Sequence, residues 1–300
     1  MPPPIKFSIG CAIGITAVAV FLGGVQRVGN IAELLVPAAA SGYIILSIGA
    51  LINNVQEIPE ALMQIFTGAL KPGAVTSGVV GSALVVLRIG AARGVFTNEA
   101  GMGTAAIAHS SADVTEPIEQ GFMGIIEVFL DTLVICTLTA LVILTSGIEI
   151  PYGTDQGAAL TTAAFAVTYG SQVSILLSIF LIIFAIATIF GWGYYGMECA
   201  GYLFGHCGVK TYIMLQLPIA GFAALLETGI VWQLAELMNG LMALPNLLTI
   251  AMLSRTVVSR TQQFIPAKHR ILASDKNPLE GNRWHHTHRH EHGSPESFHH

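Results

Sequence analysis

The chain has 300 residues, of which 53% are hydrophobic and 10% charged, with a formal net charge of −5. Soluble domains carry about a quarter charged residues, so this balance points to a membrane protein. With 13 basic against 18 acidic residues, there is no cationic excess to neutralise phosphates, which excludes nucleic-acid binding as a main role.

The start, Met1-Pro-Pro-Pro4 and then Lys6, leads into an apolar run without a small-residue cleavage site, so no cleavable signal peptide is expected. No Asp, Glu, Lys or Arg occurs between Lys6 and Arg27, between Glu33 and Glu57, or from Gln156 to Met197. Gaps of this length match or exceed the roughly 20 residues that cross a bilayer. An all-α integral membrane fold of about seven transmembrane helices is expected, with spans near 7–25, 34–53, 74–92, 121–147, 173–204, 211–230 and 235–254. Segment 57–70 is too short to cross and reads as an interfacial or re-entrant helix. The last two spans leave room only for a tight turn near Val231 and Trp232. Cys11, Cys136, Cys199 and Cys207 lack metal-type spacing and read as small packing residues.

Orientation follows from Lys and Arg. If the chain starts outside, 11 of the 13 basic residues fall on the cytoplasmic side: Arg27, Arg88, Arg93, Lys210 and those of the tail. From Arg260 onward apolar runs stop, prolines appear, and seven of the ten histidines lie between His285 and His300. Residues 260–300 therefore read as a disordered, His-rich cytoplasmic tail following a transmembrane domain over 1–259. Metal binding by its imidazoles is the alternative, but no acidic or cysteine partner stands there at ligand spacing, and no metal site is assigned.

Three features inside or between the spans need explaining. Glu127 and Asp131 stand four apart in an apolar run, so one helix face carries two carboxylates. Each costs about 2.5–3.5 kcal/mol at the bilayer centre, so a cation or proton path is one reading, and structural pairing with the Arg88 and Arg93 end of the previous span, or a position near the interface, the other. In Phe190-Gly-Trp-Gly-Tyr-Tyr-Gly196, the glycines allow close helix approach, while Thr188 and Trp192 project a hydroxyl and an indole from one face. That face suits a small polar solute, while helix packing with an aromatic interface belt is the commoner explanation of such spacing. The polar stretch Arg93-Gly-Val-Phe-Thr-Asn-Glu-Ala-Gly-Met-Gly-Thr104 follows the third span on the inferred cytoplasmic side. It lacks a preceding strand, so neither a dinucleotide fingerprint nor a phosphate loop fits. Asn98 or Thr97 is placed to cap a short helix through Ala105 to Ala112. Gly73, Gly78 and Gly81 loosen the start of the third span, as in the broken helices that line solute sites in transporters.

Taken together these stretches resemble the bacterial alanine or glycine:cation symporter family, of sodium:alanine type. The resemblance is carried by Arg93 to Thr104 with Asn98, Glu99 and Gly101, then Ala-His109, Gln120-Gly, Glu127-Val-Phe-Leu-Asp131-Thr and Cys136-Thr. Gly191-Trp-Gly-Tyr-Tyr-Gly196, Tyr202-Leu-Phe-Gly205 and Asn239-Gly-Leu-Met-Ala-Leu-Pro-Asn246-Leu follow in the same order. It runs from about Gly23 to Ser259. It implies an inner-membrane, multi-pass carrier of alanine or glycine, coupled to sodium or a proton, with no cofactor besides the ion and membrane lipid as its surroundings. The implied fold is the five-plus-five inverted repeat of the amino acid transporter superfamily. By position, the family's substrate-facing Thr and Trp fall on Thr188 and Trp192, and Gly78 and Gly81 belong to its broken sixth helix, whose backbone holds the substrate carboxylate.

Two departures from the family pattern stand out. Ala187 precedes Thr188 where the family often has a second hydroxyl that helps hold sodium. Seven spans, against about ten core helices in an inverted-repeat carrier, correspond to a partial fold from the fourth core helix onward. The family's Phe-Trp-Met-Trp run is also missing. The chain is therefore expected to be the truncated, carboxy-terminal portion of a carrier, not competent alone and completed by a chain supplying the amino-terminal helices. A non-transporting membrane subunit, or one half of a split carrier, is the alternative. No His-Glu-x-x-His or Gly-x-Ser-x-Gly motif is found, so no enzyme is expected.

Overall fold

A computed structural model describes residues 2–70, 83–99, 101–151 and 157–276. Among the described residues every regular element is helical: α1 (Pro3–Phe21), α2 (Gly24–Asn53), α3 (Ile58–Leu70), α4 (Ala83–Asn98), α5 (Thr104–His109), α6 (Pro117–Val128), α7 (Cys136–Thr145), α8 (Gly157–Tyr169), α9 (Val173–Ala223) and α10 (Thr228–Lys276). A π-helical turn, Phe129–Ile135, joins α6 to α7 without a break. Prolines start α1 and α6, where their missing N–H costs nothing. Glu116, just before Pro117, is extended, as a residue preceding proline prefers to be.

Among the described residues, five helices are long and apolar enough to cross a membrane: α1, Gln26–Asn53 of α2, the continuous Pro117–Thr145, α9, and Thr228–Phe264 of α10. The longest is in fact two arms. Gly205 has φ 65 and ψ −156, a region open essentially to glycine alone, and the chain doubles back there. A Cβ on Gly208 would lie 2.5 Å from the Ala200 carbonyl oxygen, and Tyr212 packs directly onto Gly196, so the arms run antiparallel in contact. The expected spans 173–204 and 211–230 map onto these arms. The span expected at 74–92 falls partly outside the described residues.

The chain between the last two spans turns at Ala224 to Glu227, and Val231 and Trp232 lie within α10, where a turn is expected from sequence. The apolar run continues through Leu225 and Leu226, so hydropathy alone cannot register the turn. The helix of α10 also continues past Arg260 to Lys276. Residues 277–300, which hold the His-rich part of the tail, lie outside the described residues.

Among the described residues two cores hold the bundle together. One gathers Tyr43 and Leu51 of α2, Leu141 and Val142 of α7, Phe165 of α8 and Leu177 of α9. Tyr43 donates to Thr139 Oγ1 at 2.6 Å, because that hydroxyl spends its own proton on the Ile135 carbonyl at 2.8 Å. The other joins Ala17, Val20 and Phe21 of α1 to Phe190, Met197 and Ile213 from both arms of α9. Small residues make this approach possible: a Cβ on Gly10 would stand 2.5 Å from the Ala220 carbonyl oxygen, and one on Gly14 2.9 Å from Leu217 Cα. Hydroxyls elsewhere, such as Thr16 to Ala12 and Thr211 to Cys207, return to their own helix, the economical choice in apolar surroundings.

Candidate functional site

The polar stretch after α4 breaks the helix and re-starts it. Glu99, Gly101 and Gly103 have φ of 52, 77 and 84, so the backbone turns left-handed three times before α5 begins. Positive φ is uncommon for any residue with a Cβ, and Glu99 is the sole non-glycine in that state among the described residues. Its carboxylate compensates by accepting from Thr104 Oγ1 at 2.6 Å, closing the turn on itself. Neither Asn98 nor Thr97 caps α5: Gly103 precedes it and no side chain caps it. Asn98 reaches across instead, its Nδ2 donating to Thr132 Oγ1 at 3.0 Å in the π-helical turn.

These contacts fix the depth of the break. Thr132 lies about 20 Å of helix from either end of Pro117–Thr145, at 1.5 Å per residue. On the other side Gly103 faces Asn246, and Gly101 faces Leu247, half-way along the apolar length of α10. A Cβ on Gly103 would come within 2.9 Å of Asn246 Oδ1. The stretch expected as a cytoplasmic connection thus packs against the middle of two membrane-length helices. The described discontinuity falls at Glu99–Gly103, while Gly78 and Gly81, where sequence puts it, lie outside the described residues.

Below the break, His109 is held from both ring nitrogens. Gln120 Nε2 lies 2.7 Å from Nδ1, and Nε2 lies 3.4 Å from Glu127 Oε2. An amide donor to Nδ1 leaves the imidazole proton on Nε2, aimed at the carboxylate. Gly124 keeps this path open, since a Cβ there would stand 3.1 Å from His109 Nε2. Glu127 and Asp131 interact electrostatically, with Asp131 in the π-helical turn. Such turns recur at functional positions in helices. Glu99 and Glu127 both also act on Tyr195 of α9. Three acids (Glu99, Glu127 and Asp131), a histidine, a phenol and an amide from four segments thereby share one locality.

Arg93 does not pair with Glu127 or Asp131. It bonds Glu236 at 3.2 Å and lies 4.4 Å over the Trp232 ring, which Phe96 meets edge-on. Structural pairing of the two acids with Arg93 is thereby replaced by pairing of Glu127 with His109. Glu236 is also about 36 Å of helix from Arg260. Arg93 and the tail arginines therefore lie towards opposite ends of α10, where the charge count assigns them to one side.

Thr188 spends its hydroxyl on the Phe184 carbonyl at 2.9 Å, in its own helix. Trp192 is half-buried against Tyr195, ring centroids 6.0 Å apart. The aromatic motif therefore reaches the acidic locality through Tyr195, with Trp192 behind it. Asn239 is buried on α10, about two helical turns before Asn246. His109, Gln120, Thr132 and Tyr195 carry no assigned role in the sequence reading. The signal was present: an ionisable or strongly polar side chain next to a span is a site candidate by default.

The Sodium:alanine symporter family matches the chain over residues 3–277. The sodium/alanine symporter AgcS of Methanococcus maripaludis is 37% identical over 257 residues, 85% of this chain and 56% of that protein. An uncharacterized transporter of Haemophilus influenzae is 34% identical over 82% of this chain and 54% of its own length. A sodium/proton-dependent alanine carrier protein of Bacillus sp. PS3 is 30% identical over 80% of this chain and 58% of that protein. The chain spans about half the length of the curated relatives it matches.

Proposed function

Because the chain belongs to the sodium:alanine symporter family, whose members are multi-pass membrane transporters and not enzymes, we propose that it serves sodium-coupled uptake of alanine or glycine across the cell membrane. The observation that supports this most is the break at Glu99–Gly103, set at mid-depth against Asn246 and Thr132. An interrupted helix there exposes backbone groups and half-helix ends to a solute, which is how inverted-repeat carriers hold amino acids and ions.

In this reading Thr188 and Trp192 face the substrate together with the backbone near Gly78 and Gly81. Glu127 and Asp131, with Thr188, serve the coupling ion, sodium or a proton, and oxygen ligands suit a hard cation. Asn98, Glu99 and Gly101 with Asn239 and Asn246 maintain the break and its seat on α10. No cofactor beyond the ion is required. The chain supplies the carboxy-terminal part of the pathway, amino-terminal helices complete it, and the tail after α10 faces the cytoplasm.

Uptake of labelled alanine, with and without sodium, into cells lacking their own carriers tests the proposal. The chain is expressed alone and joined to the missing helices of a relative. Uptake is expected in the joined form, and its absence from both sinks the reading. Within the active form, Trp192→Ala should raise the half-saturating alanine concentration about ten-fold, the equivalent of about 1.4 kcal/mol, with little change in expression. Asp131→Asn should shift the sodium concentration for half-maximal uptake upward while the protein still inserts. An unchanged sodium curve removes Asp131 from the ion path.

A further inference from the structure

Between the start of α6 and the far part of α10 lies an open cleft of about 740 Å³. Its walls are apolar, formed by Pro117, Phe122 and Ile125 on one side and Val257 on the other. Its mouth is charged, with Arg260 on α10 and Glu116 opposite. Arg260 and Thr256 also border a second hollow, of about 580 Å³, which adds Arg255, Ser259 and Gln263. Among the described residues neither Arg255 nor Arg260 has a carboxylate at ion-pair distance.

The gradient along the cleft has a direction. Pro117 opens a membrane-length helix, and Phe264 closes the apolar length of α10, so the mouth stands at the membrane boundary and Ile125 about 12 Å deeper. Apolar walls inside and two unpaired guanidinium groups with hydroxyl and amide donors outside match a molecule with a hydrocarbon tail and an anionic head. Arginine suits the head, since its planar fork meets phosphate oxygens in pairs. Basic pockets between membrane helices bind anionic headgroups by the same means. Among the described lining residues Glu116 is the one acid beside Arg255 and Arg260, which leaves the mouth net positive.

We propose that this cleft binds an anionic phospholipid, its phosphate on Arg255 and Arg260 and one acyl chain against Phe122, Ile125 and Val257. The site is separate from the break and from Glu127, so it stands whether or not the uptake reading does.

Native mass spectrometry of the full chain, released from nanodiscs holding equal phosphatidylglycerol and phosphatidylcholine of identical chains, tests this. Retention of one phosphatidylglycerol per protein is expected. Arg255→Gln with Arg260→Gln should weaken it about 30-fold, at roughly 1 kcal/mol per basic side chain. Gly121→Leu tests the tail's place: Gly121 lines the cleft with open space before it, so the new side chain fills the groove and leaves the arginines alone. It too should weaken retention, while the protein's thermal midpoint stays near that of the parent. Equal retention of both lipids, or retention indifferent to either variant, overturns the proposal. So does full competition by glycerol 3-phosphate, which means a free phosphate site, and so does a dimer, or displacement of the lipid by a relative's amino-terminal helices, which assigns the cleft to protein.

Discussion

Gly10→Val should cost the protein about 3 kcal/mol of stability or more, at the upper end of what overpacking exacts. The reason lies in what a side chain at that position meets. The nearest atoms to a Cβ are the Ala220 carbonyl oxygen at 2.5 Å, Ala224 Cβ at 2.8 Å and Gly221 Cα at 3.0 Å. All belong to the second arm of α9 or the residue just after it, at backbone or first carbon, so none can swing aside as a side-chain tip would. The whole arm must back away from α1, and with it the core that Ala17, Phe21 and Ile213 build. Thermal unfolding of the purified chain in detergent measures the loss. Gly29→Ala is the control, because nothing stands within 4 Å of a Cβ there. In a helix interior that change is favourable by about 1 kcal/mol. If both substitutions behave alike, the contact between α1 and α9 is not what the packing indicates.

Gly103→Ala should separate folding from function. A left-handed residue with a Cβ costs about 1–2 kcal/mol, and φ at Gly103 is 84. The second consequence is local: the new methyl lies 2.9 Å from Asn246 Oδ1 and 3.4 Å from its Cβ. A side-chain amide can rotate away, so the helices stay in place while Asn246 leaves its seat at the break. We expect a modest drop in thermal midpoint and at least a ten-fold fall in alanine uptake by the joined, transporting form. Gly101→Ala carries a similar backbone cost at φ 77 but meets the movable tip of Leu247 at 3.1 Å. Its uptake should suffer less. Equal losses in the two variants would mean that backbone conformation, and not Asn246, governs the effect.

The membrane class and most spans were legible because charge gaps are a property of composition, and lipid leaves the backbone no alternative to helix. What periodicity could not supply was where helices stop. Gly73 to Gly81 drew attention as a loosened start, yet the described break rests on Glu99, whose positive φ depends on the Thr104 hydroxyl closing over it. The partner of Glu127 was not legible for a related reason. Arg93 was the obvious cation in sequence, but Trp232 and Glu236 hold it, and His109 arrives at Glu127 only because α5 and the turn after it bring it back toward Gly124. Thr188 and Trp192 were legible as a face by their spacing of four. That Tyr195 stands between Trp192 and the acids was not, since it requires the relative rotation of α9 and α6.

The reversal at Gly205 bears on how the protein enters its bilayer. One residue makes the turn, so the two arms of α9 share no hydrophilic stretch that could wait in water while the other is placed. They must enter the lipid together as a closed pair, already matched at Gly196 to Tyr212 and at Gly208 to Ala200. The arms also offer a protease or an inserted epitope no loop to occupy. Biogenesis of this region is then a single event, and a lesion in either arm is a lesion in both.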